Sequence, residues 1–214
     1  MNLSLKNLFK SGGKAHWEKI YRKYDSTEVG WYQERPETSL QFIENTALSK
    51  SDKIIDVGGG ESRLAVLLLD AGYRNITVLD ISARALQAAR QSAGEKAVQI
   101  RWIEADVTEY AFSRQFDLWH DRAVFHFLRD ESQRRKYKAA LESALKPGGH
   151  FIISTFSLDG PKKCSGLNVV RYDVSGLQAE IGANFELQHS GKELHHTPWG
   201  ERQEFIWCWF QKIG

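Results

Sequence analysis

The feature that most narrows what this chain can fold into is the run Lys53-Ile54-Ile55-Asp56-Val57, followed directly by Gly58-Gly59-Gly60. A short apolar stretch that ends in glycines reads as a buried strand entering a tight turn. Units of the same kind follow. Leu64 to Leu69 is apolar and helical in length, and Ala71-Gly72 stops it. Asn75 to Leu79 predicts a second strand closed by Asp80, and Ser82 is placed to cap a helix that carries Ala85, Leu86, Ala88 and Ala89. Val98 to Ile103 and Phe116 to Trp119 read as the third and fourth strands. A long helix from about Glu131 to Leu145 ends at Pro147-Gly148-Gly149, and His150 to Phe156 is a fifth strand. Strands alternating with helices predict βαβ units, a parallel sheet and right-handed crossovers. After residue 170 the rhythm changes. A helix near Ser175 to Ile181 precedes two longer runs, Phe185 to Leu194 and Gln203 to Lys212, close enough in sequence to pair as an antiparallel hairpin.

A chain of 214 residues without an internal repeat or linker suits one domain, with 1–52 as an N-terminal cover segment and 53–214 as the core. No apolar run approaches the roughly 18 residues needed to cross a bilayer, so no membrane partner is expected. The stretch Met1 to Lys10 is amphipathic and lacks the continuous apolar core of a secretory leader. Cys164 and Cys208 make neither a disulfide framework nor a metal-binding spacing, which points to a cytoplasmic setting. His195-His196 has no third ligand at a suitable spacing, and no metal is expected. The net charge of +2 is too small to argue for nucleic acid, and Arg134-Arg135-Lys136-Tyr137-Lys138 reads as a solvated helix face.

Open α/β sheets bind ligands beyond the carboxyl ends of their strands, at the switch point of the strand order. Those ends carry Asp56 and the glycine turn, then Asp80, then Asp106. Glycine lets backbone approach a ligand closely, and an acid twenty residues beyond Gly60 is placed to accept hydrogen bonds from ribose hydroxyls. A dinucleotide would need a third glycine further along, whereas the sequence runs Gly58-Gly59-Gly60-Glu61-Ser62-Arg63 and sets a glutamate where a diphosphate would come. S-adenosylmethionine carries no phosphate but a sulfonium and an ammonium, and acids near the loop suit it. A nicotinamide-dependent oxidoreductase is therefore the weaker reading, and a module that binds S-adenosylmethionine without turnover is an alternative.

Ile54-Ile55-Asp56-Val57-Gly58-Gly59-Gly60 resembles the first motif of class I S-adenosylmethionine-dependent methyltransferases. Asp80-Ile81 is similar to that family's second-strand acid with its adenine-packing neighbour, and Ala105-Asp106-Val107 to its adenine-side motif. The resemblance implies a doubly wound, seven-stranded, mostly parallel Rossmann-like sheet with an antiparallel C-terminal hairpin. It also implies S-adenosylmethionine as cofactor, held by Asp56, Gly58, Gly59, Gly60, Asp80, Ile81, Asp106 and Val107. Arg114 to Leu128 is similar to the fourth-strand segment of methyltransferases that modify protein lysines. Asp121 matches there, while Arg122, Ala123 and Val124 stand where that pattern has lysine, glycine and threonine. His16-Trp17 through Gly30-Trp31-Tyr32 resembles the N-terminal segment of eukaryotic elongation-factor lysine methyltransferases. Cys164-Ser165-Gly166-Leu167 with Thr197-Pro198-Trp199-Gly200 resembles bacterial methyltransferases of unassigned acceptor.

Asp117 stands at the entry of the fourth strand and reads as structural. His120 and Asp121 stand at its carboxyl end and are the candidate catalytic groups: Asp121 to orient a lysine and help deprotonate it, His120 for a hydroxyl or imidazole. Trp31, Tyr32 and His126 are the candidate substrate-binding residues. Trp31 and Tyr32 are expected to wall the pocket as part of a cover that excludes water. The acceptor, a protein lysine or a small molecule, is left open.

Overall fold

The short apolar runs read as strands become strands in the computed structural model, which describes residues 13–214. The strands are β1 Lys53–Val57, β2 Asn75–Asp80, β3 Ile100–Glu104, β4 Phe116–Arg122, β5 Leu145–Phe156, β6 Lys163–Cys164, β7 Leu167–Asn168, β8 Phe185–His196 and β9 Arg202–Lys212. The helices are α1 Lys14–Lys23, α2 Glu37–Asn45, α3 Leu64–Asp70, α4 Ala83–Ala93, α5 Glu131–Ala144 and α6 Val174–Ile181. Seven strands form one sheet in the order β3-β2-β1-β4-β5-β9-β8. β1 to β5 run parallel, and β9 lies antiparallel between β5 and β8. The order reverses at β1, which pairs with β2 on one side and β4 on the other, so a crevice opens at their carboxyl ends.

The central strands are buried on both faces, which explains their unbroken apolar sequence. Ile55, Trp119, Phe151 and Ile153 pack with Tyr137 and Leu141 of α5 and Leu177 of α6, while Ile54, Leu118, Ile152 and Trp207 pack with Leu64 and Leu68 of α3. Each large side chain buried in this way contributes about 1.5–3 kcal/mol. Asp117 is structural: it accepts from the Lys53 backbone N–H at 2.8 Å and from Lys146 Nζ at 2.5 Å, tying the starts of β1 and β5 to β4. Ser82 caps α4, accepting from the Ala85 N–H at 3.2 Å.

Three boundaries differ from the sequence reading. β5 begins at Leu145, so Pro147-Gly148-Gly149 lies within the head of a strand rather than closing a helix. The register shifts there, Phe116 facing Leu145 and Leu118 facing His150, and a proline without an N–H suits such an irregular entry. Val98 and Gln99 fall in a short 3-10 turn before β3. β4 continues past Trp119 to Arg122, which sets His120 beside Asp56 of β1.

The segment before β1 divides in two. Phe42 and Ile43 of α2 belong to the core beside Ile54 and Trp207, so α2 is part of the packed domain. Among the described residues before β1, the stretch from α1 to about Gln33 carries Trp17, Tyr21 and Trp31, which line the cavity described below. The amphipathic reading of Met1 to Lys10 lies outside the described residues.

Candidate active site

The turn after β1 is built from glycine for steric reasons. Gly58 has φ +65° and Gly60 φ +52°, a region that residues with a Cβ rarely adopt. A Cβ on Gly58 would stand 1.9 Å from Val124 Cγ2, and one on Gly60 2.5 Å from Tyr21 Oη. The Gly60 N–H donates to Asp80 Oδ2 at 2.9 Å, and the Ser82 N–H donates to Asp80 Oδ1 at 2.8 Å. Two backbone donors therefore fix the carboxylate at the end of β2. Burial nevertheless pushes the Asp80 carboxyl up from 3.8 to about 6, outweighing those N–H groups, with Asp56 and Glu18 adding a little.

A cavity of about 900 Å³, counted out to its mouth, opens beside this carboxylate. Gly58, Asp80, Ile81, Asp106 and Val107 line it, together with Trp17, Tyr21, Trp31, Arg122, Phe127 and Cys164. Asp106 is oriented by Thr108, whose N–H and Oγ1 donate to Oδ1 at 2.9 and 2.7 Å. The rings of Trp17 and Phe127 meet edge to face at 5.1 Å, those of Trp17 and Trp31 at 5.9 Å.

The aromatic wall is tied down at two places. Glu18 of α1 accepts from Ser82 Oγ at 3.0 Å and pairs with Arg84 at 3.3 Å, so α1 rests on the start of α4. Further along, Arg122 Nη2 donates to the Trp31 carbonyl at 2.9 Å and Nη1 to Gln33 Oε1 at 2.7 Å. Gln33 Nε2 passes on to Glu193 at 2.8 Å, and His195 Nε2 meets the Gly30 carbonyl at 2.7 Å.

Of the residues expected from sequence, Gly58, Asp80, Ile81, Asp106, Val107 and Trp31 line the cavity, and Gly60 reaches it through Asp80. The others take different places. Asp56 lies beneath the turn, where its Oδ1 accepts from His120 Nδ1 at 2.8 Å, and Gly59 is packed against the same carboxylate. His120 is buried, with Nε2 on Ser39 Oγ at 3.1 Å, and presents neither nitrogen to the cavity. Asp121 is fully buried on the opposite face of β4. Its Oδ1 accepts from the Val124 N–H at 2.8 Å and the Phe125 N–H at 3.4 Å, and its Oδ2 from Tyr137 Oη at 2.6 Å. It thus shapes the turn in which Ala123 holds φ +71°. His126 is buried between Phe127 and Phe156, and burial pushes its imidazole down to about 3. Tyr32 is half-buried beside the cavity wall without lining it.

Sequence reasoning missed the cavity roles of Tyr21, Arg122 and Phe127. Arg122 carried a usable signal, a guanidinium that closes a largely buried strand. Arg122 stands where the lysine-modifying pattern has lysine, so the positive charge is kept while its geometry changes to a planar fork.

Residues 54–149 match the family described as methyltransferase domain. The eEF1A lysine and N-terminal methyltransferase of Danio rerio is 26% identical over 66% of this chain and 21% of its own length. The ubiquinone biosynthesis O-methyltransferase of Erwinia tasmaniensis is 30% identical over 67% of this chain and 53% of its own length. The chain spans about a fifth of the length of the first curated relatives it matches. Among solved structures, the N-methyltransferase NodS of Bradyrhizobium japonicum with S-adenosyl-L-homocysteine superimposes with TM-score 0.72 at 17% identity, over 92% of this chain and 98% of that one. A structure solved for the conversion of a disulfide into a thioacetal in echinomycin biosynthesis reaches TM-score 0.77 at 18% identity, over 94% and 93%. Residues 54–149 are thus similar to a methyltransferase-domain family, and the chain shares its fold with these solved structures.

Proposed function

We propose that the protein transfers a methyl group from S-adenosylmethionine to an acceptor bound between the donor loop and the aromatic wall. The observation that carries this reading is Asp80: a buried carboxylate fixed by two backbone N–H groups at the lip of the cavity. Two backbone bonds leave lone pairs on its oxygens for a pair of vicinal hydroxyls. The chain's residues fit the donor. Gly58 and Gly60 bring backbone where a Cβ would collide, Ile81 and Val107 offer apolar faces for a flat base, and Asp106 stands at its polar edge. When bound, S-adenosylmethionine supplies an activated methyl. The protein's contribution is alignment and exclusion of water, which at its best supplies roughly 7–11 kcal/mol.

In this reading the cover is the stretch from α1 to Gln33, with Trp17, Tyr21 and Trp31 as its inner face. Adding S-adenosylmethionine is expected to raise hydrogen-exchange protection from about Trp17 to Tyr32, and deleting residues 1–32 to leave a folded core that binds donor weakly. Unchanged protection, with normal binding by the truncated chain, would make the segment simple packing. Two unpaired cysteines suit the reducing cytoplasm in which we place the protein, and among the described residues no helix is long and apolar enough to cross a membrane. The activity itself is tested by incubating labelled S-adenosylmethionine with lysate and protein. Label in a new product supports the proposal; donor binding without any transfer would leave a binding module.

A further inference from the structure

Among the described residues, those lining the cavity include a permanent cation and, besides the carboxylates Asp80 and Asp106 read above as donor-binding, no group fitted to take a proton from an amine. Arg122 lines the cavity with its charge buried, and two of its N–H groups donate to neutral acceptors, Trp31 O and Gln33 Oε1. A guanidinium has five N–H donors, so others are left for a ligand. Among the described residues no carboxylate forms an ion pair with it. Glu193, linked to it through Gln33, and Asp56 act on it through space without an ion pair. The bases expected from sequence are elsewhere: His120 is engaged on both nitrogens and Asp121 accepts three hydrogen bonds inside the core, while His126, expected to bind substrate, is walled off. The remaining titratable groups lining the cavity, Tyr21 and Cys164, are pushed up by burial and stay protonated at neutral pH.

Resting on the methyl-transfer reading above, we propose that the acceptor is a small flat molecule that presents an ionised oxygen, phenolate or carboxylate, to Arg122. A lysine enters as an ammonium, with a reference pKa of about 10.4, and needs a base. It would also bring a further positive charge beside a guanidinium and the donor's sulfonium in a poorly solvated space. An oxygen anion reverses both problems. It has already lost its proton to solvent, it pairs with the planar fork of Arg122, and its ring lies against the apolar faces of Trp17, Trp31 and Phe127. The oxygen lone pair forms the bond to the methyl carbon and the carbon–sulfur bond breaks with its pair on sulfur. A neutral methyl ether or ester and a neutral thioether result, with the guanidinium unchanged.

The test uses the full chain, labelled S-adenosylmethionine, and two fractions of the producing cells: an ultrafiltered small-molecule extract and the protein retentate. Label is expected in the small-molecule fraction, on oxygen, as read by mass spectrometry. Mild alkali then separates the two sources, releasing an ester's methyl and sparing an ether's. Arg122→Gln should lower kcat/KM for that product by about a hundredfold while donor Kd stays within about threefold, with Arg122→Lys between. Label on nitrogen or in the protein fraction overturns the proposal. So does a donor Kd that weakens as much as kcat/KM, which would leave Arg122 only a clamp on Trp31 and Gln33. If Arg122→Gln does not fold, the position of the methyl in the wild-type product and the Arg122→Lys ratio decide. No label in either fraction despite tight donor binding overturns the methyltransferase reading itself, and this one with it.

Discussion

Asp121→Ala is expected to lower the melting temperature by roughly 6–20 °C, from a loss of about 3–5 kcal/mol, rather than to remove a catalytic base. Three buried donors lose their acceptor together: the Val124 and Phe125 N–H groups and the Tyr137 hydroxyl, which itself accepts from Trp119 Nε1 at 2.9 Å. The last of these links β4 to α5 beneath the cavity floor. Asp121→Asn is the milder variant. Its Oδ1 can still take the two backbone donors, but its NH₂ meets a Tyr137 oxygen that already accepts from Trp119. The sign of the pH dependence follows from burial, which raises the Asp121 carboxyl from 3.8 to about 6. A raised acid favours the folded state while protonated, and that contribution is lost as pH rises through about 6. The penalty of Asp121→Asn should therefore shrink between about pH 4 and pH 7. Melting curves of both variants at several pH values check this. A normally stable Asp121→Ala with sharply reduced turnover would return Asp121 to the chemistry.

The parallel sheet and its antiparallel end were legible because apolar runs bounded by glycine, proline and aspartate report strands directly, and strand–helix alternation leaves few topologies. The cavity-lining residues at the strand ends were legible for a related reason. Gly58, Asp80, Ile81, Asp106 and Val107 sit at strand ends, so position along the chain also gives position in space. The acceptor side was not. Whether His120 or Arg122 meets the cavity depends on where β4 stops and how the turn at Ala123 swings, and the strand ran three residues past the expected end. His120 then fell beside Asp56 in a neighbouring strand, a pairing set by register that local sequence does not encode. The aromatic wall was half legible. Its aromatic content flagged Trp17 and Trp31, but the contacts that hold it, Glu18 to Ser82 and Arg122 to Trp31, span 64 and 91 residues.

The donor pocket predicts the second large effect. Two ribose hydroxyls donating to an ionised Asp80 contribute about 1.5–3 kcal/mol each as charge-assisted bonds. Asp80→Ala leaves the Gly60 and Ser82 N–H groups without their acceptor and gives back part of that penalty when water enters the site. The expected loss of affinity is therefore roughly ten- to a hundredfold, at about 1.4 kcal/mol per decade. Because the carboxyl titrates near 6 in the free protein, wild-type affinity should also weaken as pH falls below about 6, while the variant's should not follow. Calorimetric titration of S-adenosylmethionine into wild type and Asp80→Ala, each first shown to be folded, tests the donor site most directly. Tight binding by the wild type, a ten- to hundredfold weaker Kd for the variant and the loss of the acid-side pH dependence are the results expected. An unchanged Kd in a folded Asp80→Ala, or no heat of binding to wild type, would contradict it.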